Sequence, residues 1–143
     1  MNECLPLPLP ANRTVTGPIL RKDARRLVVD YDCEQDNGII LWSRVVFDDV
    51  LSFEYRQAAC CRETDVVGSS EVRVLRGSPH LSEVLGRWEQ SVGWQEWQQR
   101  QGGAARFRHF TIFFDDSACI DVVATAISFP AWEAEIVGPS TKQ

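Results

Sequence analysis

An α+β domain is the fold class this sequence predicts: an antiparallel sheet of about six strands with one amphipathic helix packed on it. Three observations predict it. The stretch from Arg106 to Phe129 holds two runs of aromatic and β-branched residues split by Asp115-Asp116-Ser117, the pattern of a hairpin. Arg26 to Arg56 reads as three alternating strands joined by two polar turns. Between these regions Leu81, Val84, Leu85 and Trp88 recur at i, i+3, i+4 and i+7, the stripe of a single helix. Strands and helix are segregated along the chain rather than alternating, which favours α+β over a parallel α/β sheet. A β-sandwich with a helical insertion is the alternative architecture.

Taken in order, residues 1–17 read as a loose proline-rich arm. Pro6, Pro8 and Pro10 alternate with leucines, which excludes helix and leaves Leu5, Leu7 and Leu9 able to lie against the body of the fold. The body spans residues 18–132. Its first clear strand is Arg26 to Cys33, followed by Gln35-Asp36-Asn37-Gly38, where Asn37-Gly38 suits a type I′ turn. Ile39 to Phe47 returns as a central strand, since its apolar run Ile39-Ile40-Leu41-Trp42 asks for cover on both faces. After Asp48-Asp49, Val50 to Arg56 makes the third strand of a meander, with Leu51, Phe53 and Tyr55 inward and Ser52, Glu54 and Arg56 outward. Gln57 to Ser70 is mostly loop, and Glu71 to Leu75 alternates as a short strand. Ser78 then offers an N-cap with Pro79 at the first helical position. Gly93 interrupts the helix, and Trp94 to Arg100 forms a second turn or two before Gly102-Gly103. Residues 133–143 form a frayed tail.

The C-terminal hairpin carries its own register. With Asp115-Asp116-Ser117 as the loop, Phe114 faces Ala118, Ile112 faces Ile120 and Phe110 faces Val122, with Ala124 and Ala126 continuing an apolar face. The other face mixes His109, Thr111, Phe113, Cys119, Asp121, Val123 and Thr125. A slip of one residue would set Asp121 opposite Ile112, so the hydrophobic pattern selects the three-residue loop.

At 143 residues the chain suits one domain with a continuous core. Net charge is −5, which argues against a protein that grips nucleic acid through its phosphates. Acidic residues concentrate between Asp30 and Glu54, where seven stand against Arg44 alone, a solvated face or a surface that meets a basic partner. No apolar run reaches the length of a membrane span, and the opening MNECLPLPLP lacks the basic start of a secretory signal. Cysteines stand at Cys4, Cys33, Cys60, Cys61 and Cys119. Their odd count, without a C-x-x-C spacing, predicts reduced thiols and a cytoplasmic protein rather than a disulfide framework or a zinc site.

Chemistry is sparse in the sequence. No phosphate-binding loop, dinucleotide fingerprint or G-x-S-x-G is present, and no cofactor is implied. His109, Cys119 and Asp121 suggest a nucleophile, a base and an orienting carboxylate, but the register places His109 opposite Val123, about 13 Å along the strand from Cys119. His109 and Asp121 are diagonal neighbours that can pair, most simply as a structural contact. His80 falls in the first turn of the helix, where a surface or capping role is expected. Asp48-Asp49 and Asp115-Asp116 would supply oxygen ligands for Ca²⁺ if their turns converged, although aspartate is common in turns for its own hydrogen bonds. Trp94 and Trp97 share one face of any continuing helix, where they close the core or anchor a partner protein.

Phe47-Asp48-Asp49-Val50, the helix from Ser78 and the segment RHFTIFFDDSACIDVVA together resemble the layout of small bacterial domains, some of which act as immunity proteins for secreted toxins. The likeness runs from Ile39 to Phe129. It implies an acidic, cytoplasmic, non-enzymatic domain that binds a protein, in the sharpest case a basic toxin domain, and it carries no functional residues of its own. With Asp36, Asp48, Asp49, Trp94 and Trp97 as the partner-binding candidates, protein binding is the function expected. A small-molecule or lipid pocket between sheet and helix is the second reading, and a hydrolase using His109 and Asp121 the third.

Overall fold

The computed structural model describes residues 3–9, 11, 18–57, 71–89, 106–114, 118–130 and 136–137. Among these residues ten strands and one helix follow in the order β1 (Glu3–Pro6), β2 (Ile19–Asp23), β3 (Arg26–Glu34), β4 (Ile40–Asp48), β5 (Ser52–Gln57), β6 (Glu71–Leu75), α1 (Pro79–Glu89), β7 (Arg108–Phe114), β8 (Ala118–Ala124), β9 (Ala126–Ser128) and β10 (Ile136–Val137). They make an antiparallel α+β domain, but with two open sheets where one of about six strands was expected. One sheet runs β1-β6-β7-β8-β5, the other β10-β4-β3-β2 with β9 also on β4. The principal core lies between them. Leu27, Val29, Tyr31, Val45 and Phe47 from one sheet meet Val72, Val74, Phe110, Ile112, Phe114, Ile120 and Val122 from the other. Helix α1 covers part of the opposite face of the first sheet, where Leu81 and Val84 pack with Phe107 and Val123. The alternative of a sandwich carrying a helix describes this layering better than a single sheet does.

The C-terminal hairpin has the register its hydrophobic pattern demands: Phe114 opposite Ala118, Ile112 opposite Ile120, Phe110 opposite Val122 and His109 opposite Val123. Asp115 to Ser117 lie outside the described residues. Ala126 departs from the expected face, because the chain leaves the first sheet at Thr125 and enters the second as β9, where Ala126 is exposed.

The expected meander fails at its third strand. β3 and β4 pair over eight residues, but β5 crosses to the other sheet and pairs with β8. The physical cause is a corner. Between the pairs Asp48–Ala126 and Ser52–Val123, three residues on one chain segment oppose two on the other, a bulge that bends the ladder from one sheet into the next. Asp49 adopts φ 52° there, and Thr125 donates its N–H to the Asp48 carbonyl at 3.0 Å. The Val50 N–H reaches Arg25 O at 2.8 Å, and the Leu51 N–H reaches Val123 O at 2.9 Å. The third strand on this side of β3 is β2 instead, whose polar sequence ILRKD hides its strand character.

Two local expectations also change. In the β3–β4 loop only Gly38 has positive φ, at 85°, so the connection is not the type I′ turn that Asn37-Gly38 suggests. The Gly38 N–H reaches Gln35 O at 2.9 Å, the Gln35 N–H reaches Ile39 O at 2.8 Å, and Asn37 Oδ1 accepts the Ile39 N–H at 3.0 Å. That pattern is a three-residue loop closed by a left-handed glycine. The N-terminal segment is extended, as its prolines require, and it is docked. β1 pairs with β6, and Leu7 and Ala11 are buried. The Tyr31 hydroxyl donates to Leu9 O at 2.6 Å and accepts the Leu9 N–H at 3.3 Å.

Candidate functional site

The polar residues best placed for chemistry form a chain beneath the start of α1. Ser78 is the N-cap, its Oγ accepting the Leu81 N–H at 3.1 Å. The same Oγ lies 2.9 Å from Nδ1 of His109 on β7. Nε2 of His109 lies 2.7 Å from Oδ1 of Asp121 on β8. The other Asp121 oxygen takes Arg56 Nη1, and Arg56 Nη2 reaches Glu54 Oε1 at 2.5 Å, both from β5. The registers explain the assembly. Glu54 is directly opposite Asp121, which is directly opposite Thr111, and all point to the helix side of the sheet. The His80 ring packs against that of His109, with centroids 4.8 Å apart and planes tilted by 48°, so it faces inward rather than taking the surface or capping role expected for it.

Burial sets the electrostatics of this chain. Asp121 has no exposed surface and His109 is 4% exposed. Burial alone would raise the Asp121 carboxyl, but hydrogen bonds from His109 and Arg56, together with their charges, outweigh it and hold the group below its ordinary value. An ionised Asp121 only accepts, so Nε2 carries the ring proton, and Nδ1 of a neutral ring accepts the Ser78 hydroxyl. The diagonal pairing of His109 with Asp121 was legible in the sequence. Ser78 as a third member was not, because it reaches His109 across the sheet–helix interface; its N-cap position was the only available signal.

Cys119 does not join this chain. It is disulfide-bonded, while Cys4 and Cys33 stay thiols. The prediction of reduced cysteines fails at this position. Spacing argues against a bond between neighbours, but it does not report which cysteines the fold brings together.

The partner-binding candidates are dispersed. Asp36 is exposed in the β3–β4 loop, while Asp48 and Asp49 lie at the other end of β4, roughly 27 Å away along a strand of this length. Arg26 Nε is 3.4 Å from Asp48 Oδ1 and Arg25 Nε is 3.6 Å from Asp49 Oδ1, so the β2–β3 turn offsets these two carboxylates. Within the same run, Asp32 is buried and Asp30 forms a two-pronged pair with Arg44 at 2.7 and 3.1 Å. The structure therefore assembles no continuous acidic face from these residues. Trp94, Trp97 and the Asp115-Asp116 pair lie outside the described residues. Among the described residues no three His, Cys, Asp or Glu side chains cluster as a metal site, and no helix is long and apolar enough to cross a membrane.

Sequence reasoning missed a different surface. Phe53 and Tyr55 were expected inward, yet they are 38% and 43% exposed. They do share the face that carries the core, but β5 is the terminal strand of its sheet among the described residues, beyond the cover of the second sheet.

No family model matches the chain, and neither a curated protein nor a solved structure is significantly similar to it.

Proposed function

We propose that this chain is a non-enzymatic protein-binding domain whose contact surface is centred on β5. The observation that carries the reading is the pair of exposed aromatics, Phe53 and Tyr55, on the strand that ends its sheet among the described residues. Aromatic side chains bury large area at small entropic cost, and a sheet edge offers backbone hydrogen bonds to an added strand. A net charge of −5 favours a basic partner, and a toxin domain neutralised by its immunity protein is the sharpest form of the reading. Asp36 is the exposed acidic candidate for steering such a partner, with Asp48 and Asp49 already offset by arginines. The test compares wild type with a Phe53→Ser, Tyr55→Ser double variant, which should fold normally because both sites are exposed. A partner retained by wild type, lost by the variant and bound directly when purified supports the reading. Equal retention by both proteins sinks it.

One observation favours the hydrolase instead: Ser78 Oγ, His109 and Asp121 stand in hydrogen-bond sequence. In that reading His109 Nδ1 takes the proton as Ser78 attacks an acyl carbon, and Asp121 holds the ring. Labelling of wild type but not Ser78→Ala by a fluorophosphonate would establish it, and an unlabelled wild type would leave the chain a structural brace between α1 and the sheet.

A further inference from the structure

The sequence of β5 is Ser52-Phe53-Glu54-Tyr55-Arg56-Gln57, and its charges are self-complementary about one residue. Glu54 and Arg56 share the helix-side face, two positions apart and already in contact, while Phe53 and Tyr55 share the other. A second copy laid antiparallel against this edge has few registers to choose from. Centring on Glu54 opposes Glu54 to itself, and centring on Arg56 opposes Arg56 to itself; like charges directly opposite are destabilising. A shift by one residue sets Phe53 against Arg56 and mixes the faces. Centring on Tyr55 alone places each Glu54 opposite the other copy's Arg56, in a square of alternating charge. The same register stacks Tyr55 against its mate and brings each Phe53 diagonal to the other Tyr55, about 7–8 Å away, within reach of aromatic side chains.

We propose that two copies of this chain pair through β5, antiparallel and centred on Tyr55, joining their five-stranded sheets into one continuous sheet. The proposal rests on the reading of β5 as a protein-binding edge and commits that edge to a second copy. Two features of the strand serve it together. The exposed aromatic ledge is doubled and covered from the side, and the strand that ends its sheet among the described residues gains a neighbour.

Sedimentation velocity of the full chain over a wide concentration range tests the pairing. Wild type should show a reversible monomer–dimer equilibrium. Glu54→Lys sets two cations opposite each other at both ends of the contact and should weaken the dimer by about tenfold, read on protein that circular dichroism shows to be folded. The register is read by cross-linking in a Cys4→Ser background. Tyr55→Cys should form an interchain disulfide under mild oxidation, and Phe53→Cys, whose neighbour across the pair is Gln57, should not. A wild type that stays monomeric at every concentration overturns the proposal, as does a dimer indifferent to Glu54→Lys or one cross-linked equally through both cysteines. A monomeric wild type that still loses a captured partner on Phe53→Ser, Tyr55→Ser substitution would overturn self-pairing alone and leave β5 as the binding edge.

Discussion

Replacing Asp121 by asparagine isolates the electrostatics of the Ser78–His109–Asp121–Arg56 chain. The substitution keeps the shape of the side chain, removes its charge and turns an NH₂ group towards one of two donors. Asp121 is wholly buried and the Arg56 side chain is 16% exposed, so the lost carboxylate leaves a largely desolvated guanidinium behind. Breaking a buried pair costs about 3–5 kcal/mol, and the remaining contact of Arg56 with Glu54 offsets part of this, for a net loss of about 2–4 kcal/mol. In a domain of this size that is a fall of roughly 10 °C in Tm. Acid changes the difference with a defined sign. The folded carboxyl sits below its ordinary value, so near pH ~4 the unfolded chain binds more protons. This stability is therefore fully present above the ordinary carboxylate range and lost as pH falls through the lowered folded value. Thermal unfolding followed by circular dichroism at neutral pH and in steps below pH ~4 measures both effects. The gap between wild type and Asp121→Asn should be widest at neutral pH and close in acid. A gap of a degree or less at neutral pH, or one that does not narrow on acidification, would refute the assignment of Asp121 as a buried anion held by two donors.

Tyr31→Phe removes both hydrogen bonds to Leu9 and should cost about 1–2 kcal/mol, with faster amide exchange in β1 and the residues after it. Burial raises the Tyr31 phenol despite hydrogen bonds that act the other way, so its contribution to stability is present below pH ~10 and lost as pH rises; absorbance at 295 nm should show one tyrosine ionising only with unfolding. Ile112→Asp and Val122→Asp each put an unpaired charge between the sheets and should abolish cooperative folding, so a soluble, sharply melting protein at both positions would break the register. Leu81→Ala should cost about 2–4 kcal/mol by opening the contact of α1 with Phe107 and Val123, and an unchanged denaturant midpoint would show that the helix is not seated there.

Local pattern decided a good part of this molecule. Period-two alternation with a short polar break placed Phe114 against Ala118 and Ile112 against Ile120, because a slip would set Asp121 opposite Ile112 on the apolar face. The 3.6-residue stripe and the Ser78-Pro79 start placed the beginning of α1 and its buried face, because cap chemistry acts within one turn. These are interactions between residues near in sequence, or between strands joined by a tight loop, and such residues carry their own address.

The sandwich itself was decided by partners distant in the chain. Alternation in β5 shows which side chains share a face, but not which sheet the strand joins. The bulge at Asp49–Leu51 sends it to β8, leaving Phe53 and Tyr55 on an edge instead of in the core. β2 and β1 are strands because β3 and β6 receive their backbone hydrogen bonds, although one is polar and the other proline-rich. Ser78 meets His109 only because α1 lies over β7, and Cys119 finds its disulfide partner through a fold that spacing along the chain does not encode. A side chain's face follows from its own period, whereas what covers that face is set by whichever remote element buries it.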